Sequence, residues 1–269
     1  VKSLWWRQIQ GILRLEVRKS VLSMRALPLY LLAAIPVTVT FIVVAVSTIV
    51  GEPPPEFSGP SGATSLFAIL FQLGILRSTL YFAVVWIFMN LFRGEVLDRS
   101  LHYYFLSPIR RDVLVAGKFA SAWVSVSVVF SVVTIVCFGA LHVYFGSAAL
   151  TNLTGQLFAY LAIVWMACLG YGAIFMVAGL FMRNPVIPAV LIFFWEGGNA
   201  FLPGLLKKFS VIFYLQSLFP IDISKGPIEI IAEPVPLWIG IPGFIVFSGL
   251  TLLLAGFQIR RMEIHYTDD

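Results

Sequence analysis

Glu196 sits in Trp195-Glu196-Gly197-Gly198-Asn199, inside an otherwise apolar stretch. A carboxylate without a partner in hydrocarbon costs several kcal/mol, so it must be protonated, paired or open to a water-filled cavity. Two readings follow: Glu196 reaches outer headgroups near Lys207 or Lys208, or it lines a translocation path and latches its outer gate. Arg77 is a cation within another apolar run; it is expected to snorkel to the outer surface, the alternative being that it points into the bundle beside Gln72. Enzyme chemistry finds no support. The three histidines, His102, His142 and His265, fall in different parts of the chain, and no pair has metal-ligand spacing. There is no nucleophile elbow, so neither catalytic nor metal-binding residues are expected. Gly117-Lys118 imitates the end of a phosphate loop, but the preceding glycine is missing and Phe119 stands where Ser or Thr would hold magnesium. ATP, if it drives this protein, is bound by another chain. Cys137 and Cys168 lie in apolar runs and read as small buried hydrophobes.

A second place for chemistry is Phe92 to Lys118. It holds five cations (Arg93, Arg99, Arg110, Arg111, Lys118) and three acids (Glu95, Asp98, Asp112) around the apolar run Leu101–Leu106. Asp98 can cap a short helix with Arg99 to Leu106 as its body, and Ser107-Pro108 closes it. The product is a surface helix offering Tyr103, Tyr104 and Phe105. One reading is an aromatic belt at headgroup level with positive-inside flanks; the other is a docking site.

The run Phe92-Arg93-Gly94-Glu95, then Leu101 to Leu106, Ser107-Pro108-Ile109-Arg110-Arg111 and Gly117-Lys118 resembles the transmembrane subunits of the ABC type-2 permease family. The resemblance implies a six-span all-α exporter subunit whose segment 98–107, between spans two and three, is a cytoplasmic coupling helix. Glu95, Arg99, Leu101, Tyr103, Tyr104, Phe105, Pro108, Arg110 and Arg111 would then meet a separate ABC ATPase, with Arg183 and Asn184 as a second inner contact. A second permease copy or homologue would complete the path. ATP and magnesium would reside on the ATPase, and this chain would bind no cofactor. The family also carries a Trp-Glu pair near the position of Glu196, which favours the gate reading. The implied location is a bacterial inner membrane. The main alternative is an ion- or proton-coupled secondary transporter using Glu196 and Arg77; a membrane anchor or sensor is a third class.

The elements that must position these residues follow from hydropathy. With 59% hydrophobic and 12% charged residues and a mean hydropathy of +0.94, the chain belongs to the membrane class. Its 269 residues accommodate six spans of about 20 residues each. The net charge of +5 gathers beside span ends, which is a topological pattern and not a nucleic-acid face. Residues 3–25 place Trp5, Ile9, Leu13 and Val17 on one helical face and Arg7, Arg14, Arg18 and Arg25 on another. That pattern predicts an interfacial helix against lipid, not a signal peptide. Membrane segments are expected at 27–50, 66–91, 113–145, 156–182, 186–203 and 237–257, with a re-entrant outer segment at 204–219. Pro36 should kink the first span, and Gly170, Gly172, Ala178 and Gly179 should admit close helix contact in the fourth. Counting 14 of 18 Lys and Arg beside the inner ends puts both termini in the cytoplasm.

Overall fold

The computed structural model describes residues 11, 26–51, 62–97, 111–145, 153–182, 184, 186–198, 203–221 and 236–261; the side chains of 92–97, 111, 112, 204, 205, 260 and 261 are not described. The expected interfacial helix (apart from Gly11), the coupling helix at 98–107 and Arg183 lie outside this set. Among the described residues every regular element is helical. They are α1 (Leu27–Val50), α2 (Gly62–Ile69), a π segment (Leu70–Leu80), α3 (Tyr81–Leu97), α4 (Arg111–Phe145), α5 (Leu153–Phe181) and α6 (Val186–Gly197). Two short helices follow, α7 (Gly204–Lys207) and α8 (Val211–Leu215), the second prolonged by a 3-10 turn at Gln216–Leu218. The last is α9 (Leu237–Arg261).

Among the described residues five helices are long and apolar enough to cross a bilayer: Leu27–Val50, Gly62–Leu91, Val113–Phe145, Leu153–Phe181 and Leu237–Ile259. Their surfaces bear this out, since Leu31, Ile42, Ile49, Val143, Phe158, Leu253 and many other large apolar side chains are exposed. A water-soluble protein rarely exposes contiguous apolar surface on this scale. Many polar side chains turn inward. Thr40, Ser121, Ser125 and Thr134 are buried, and each hydroxyl donates back to a carbonyl of the preceding turn, as at Thr40 Oγ1 to Pro36 O, 2.7 Å. Hydroxyls satisfied within their own helix leave no open donor in hydrocarbon.

Local sequence explains the boundaries. α1 has proline in its first turn and stops at Gly51, whose φ of 80° is the left-handed conformation glycine adopts without a Cβ clash. The helix running from Gly62 to Leu97 exceeds the expected 66–91 at both ends, because the polar residues on either side do not break helical hydrogen bonding. α6, by contrast, stops at Gly197, short of the expected 203. At 12 residues it rises about 18 Å, against a hydrocarbon core of about 30 Å.

α5 is the hub. A Cβ on Gly172 would lie 2.7 Å from Phe88 of α3, and one on Gly179 would lie 2.8 Å from the backbone carbonyl oxygen of Met89. A Cβ on Gly170 would meet Phe244 of α9 at 2.7 Å and Val211 of α8 at 3.1 Å. These glycines let three helices close on one, as small residues do in membranes. Against α4 the seam is aromatic: Trp123 Nε1 donates to Trp165 O at 3.0 Å, and Trp165 Nε1 donates to Ser131 Oγ at 3.1 Å. Lys118, counted above with the loop cations, is fully buried on α4.

A carboxylate latch and an adjoining cavity

Glu196 occupies the last turn of α6 and is 7% exposed. Its Oε1 accepts from Val211 N at 2.9 Å. Its Oε2 accepts from Ser210 Oγ at 2.8 Å, Ile212 N at 3.0 Å and Tyr171 Oη at 3.2 Å. The two backbone donors are first-turn N–H groups of α8, which have no partner inside their own helix. Ser210 stands at the N-cap of α8 but makes no cap bond to it; its hydroxyl turns to the carboxylate. One side chain therefore ties the end of α6 to the start of α8 and to the middle of α5. Glu196 is held by these four donors, away from the surface position near Lys207 or Lys208. The Gly197-Gly198 break falls where the sequence places it, and Gly198 N closes the helix on Phe194 O at 2.8 Å.

The depth of this latch can be derived. The last turns of α1 and α4 and the first turns of α2, α5 and α9 lie at the end that the cation count predicts to be outside, called the outer end. α8 runs antiparallel to the first turns of α9, since a Cβ on Gly240 would lie 3.1 Å from Ser217 and one on Gly243 would lie 2.9 Å from Tyr214. Val211 and Phe244 both press on Gly170. Glu196 is thus level with Phe244, about 10 Å along α9 from its start at Leu237. α6 and the α8 unit are each shorter than a membrane thickness.

Beside the latch lies a cavity of about 260 Å³ walled by the π segment, α3, α5, α6 and α8. Arg77, Ser78, Tyr81, Tyr171 and Glu196 bring its polar groups; Leu73, Phe193 and Ile212 bring apolar surface. Arg77 therefore faces the bundle, as in the second of its two readings; Gln72, the neighbour expected for it, is itself buried. Its Nε is buried without a hydrogen-bond partner among the described residues. The π segment is what aims it. Hydroxyls there reach back five residues, Ser78 Oγ to Leu73 O at 2.6 Å and Thr79 Oγ1 to Gly74 O at 3.1 Å. Such a widened turn rotates the following side chains relative to an α-helix, and π turns gather at functional sites. Tyr81 is fixed by donating its hydroxyl to Ala189 O of α6 at 2.8 Å, and its ring meets Tyr171, Phe175 and Phe193 at 5.3–5.4 Å between centroids.

Tyr81, Tyr171 and Ser210 escaped the sequence reading. Ser210 had a signal, a polar residue directly before the apolar run Val211–Leu215, which is an N-cap pattern. The tyrosines had only the general need of a buried hydroxyl for a partner. The other expected site residues are not brought to this place. Asn184 is exposed at the opposite end, where its Oδ1 accepts from Val186 N at 3.1 Å and so caps α6. Glu95 lies in the last turns of α3 and Arg111 opens α4, both at that same end. Arg99, Leu101, Tyr103, Tyr104, Phe105, Pro108 and Arg110 lie outside the described residues. Comparison with protein-family models gives no match, and comparison with curated proteins gives no significant match.

Proposed function

We propose that the chain is the membrane-embedded permease subunit of an ATP-driven exporter of the ABC type-2 kind, working as a pair with separate ATPase subunits. Two half-helices joined by a buried acid carry the reading: non-helical backbone at membrane depth is tolerated where it is covered by protein or lines a cavity, and broken helices recur at transport sites. The acid then serves as the outer latch. ATP binding on the partner would pull the 98–107 segment, move α3 against α5, and strain the α6–α8 junction. The charged stretch 92–118 supports the partner, with Tyr103, Tyr104 and Phe105 as its anchors. Replacing these three by alanine should abolish co-purification of a co-expressed P-loop ATPase while the permease still inserts; full retention of the ATPase rejects the docking assignment.

One observation favours the secondary-transporter reading: Arg77 and Glu196 face the same cavity. That reading requires transport by this chain alone, collapsed by an ionophore. The exporter reading requires transport that depends on the ATPase and survives the ionophore.

A further inference from the structure

We propose that the cavity beside the latch binds the monoanionic head group of an amphiphile from the bilayer, with Arg77 as its anchor. Donor accounting leads there. Ser78 spends its proton on Leu73 O, Tyr81 on Ala189 O and Tyr171 on Glu196. Glu196 is an acceptor already taken up by four donors. Arg77 is the cation among the lining groups, and its buried Nε has no partner among the described residues. An occupant must therefore bring an acceptor, and a guanidinium pairs best with a carboxylate or phosphate. The charge of Glu196 on the same wall opposes a second negative charge, which restricts the head group to a carboxylate or a phosphodiester.

The remaining surface selects an amphiphile. Leu73, Phe193, Ile212 and the tyrosine rings give the site an apolar wall, and 260 Å³ exceeds the roughly 150 Å³ that suffices for benzene. The cavity is not sealed: Ser78 on its wall is exposed, and the neighbouring Phe82 and Phe193, stacked at 5.5 Å, are exposed as well. Its mouth is thus lateral and apolar, so a head group enters sideways while its chain stays along the phenylalanines. The proposal does not depend on ATP coupling.

The test uses the full chain in nanodiscs of zwitterionic lipid, titrated calorimetrically with octanoate, octanol and acetate. Octanoate should bind saturably and roughly tenfold or more tightly than octanol, the difference being a charge-assisted bond to Arg77. Acetate should not bind measurably, because it lacks the chain. Arg77→Gln should erase the preference for octanoate. Gly197→Leu should abolish octanoate binding with Arg77 intact, since a Cβ there meets nothing within 4 Å and its side chain fills the space. Equal binding of octanol, binding of acetate as tight as octanoate, or unchanged octanoate binding in either folded variant overturns the proposal.

Discussion

Glu196 illustrates how one residue can be both buried and ionic. Its cost of desolvation is offset by four donors, two of them backbone N–H groups that would otherwise be orphans at a helix start. Substitution should expose this balance. Glu196→Ala strands Val211 N, Ile212 N and the Ser210 and Tyr171 hydroxyls, at about 3–5 kcal/mol in total for a buried network broken on one side. Glu196→Gln keeps the size and one acceptor oxygen but turns an NH₂ toward donors, which should cost about 1–3 kcal/mol. Thermal unfolding in detergent should rank wild type above Gln and Gln above Ala. Equal stability of all three would mean that the α6–α8 junction is held by packing alone. The exchange to Gln therefore tests folding and gating together, so transport rates should be compared only at temperatures where both proteins remain folded.

Among the elements, α5 sets the tolerance of the bundle, because its glycines touch three neighbours. Gly179 is the most demanding of them, since the atom in its way is the Met89 carbonyl oxygen, and a backbone cannot rotate aside as the rings of Phe88 or Phe244 can. Gly179→Ala should push α3 from α5 and destabilise the protein by about 1–3 kcal/mol, the cost of overpacking. Gly139→Ala on α4, which meets nothing within 4 Å, should be neutral or slightly stabilising through helix propensity. Melting temperatures of the two variants check this; a neutral Gly179→Ala would show that the helices separate at little cost. The π segment belongs to the same scale. Its five-residue hydroxyl contacts follow from how α2, α3 and α5 pack, and no apolar period in Leu70–Leu80 foretells it.

For the whole molecule, the buried hydroxyls and exposed aliphatics describe a protein turned outward to lipid. The cation count then predicts which end faces the cytoplasm. A cysteine at position 58 should react with a membrane-impermeant maleimide from outside intact cells, and one at position 100 only after permeabilisation. Cys137 and Cys168 are buried thiols and should stay silent in both conditions. The reverse pattern would invert the orientation and with it the side on which a partner ATPase docks.

Hydropathy alone located α1, α4, α5 and α9 nearly to their ends, because continuous apolar runs in a medium without water must close their own hydrogen bonds as helices. It also marked the break after Glu196, where two glycines and an acid interrupt such a run. The long reach of the helix from Gly62 to Leu97 was not legible, because polar residues that prolong a helix leave no hydropathy signal. The same holds for the site. Glu196 and Arg77 were conspicuous as charges in apolar sequence, yet their neighbours lie 14 to 25 residues from Glu196 along the chain and more than 100 from Arg77 to Glu196. Sequence determines that a buried carboxylate needs donors; only the packing of α5, α6 and α8 decides that Tyr171, Ser210 and two backbone amides supply them, and that Arg77 lines a cavity beside them.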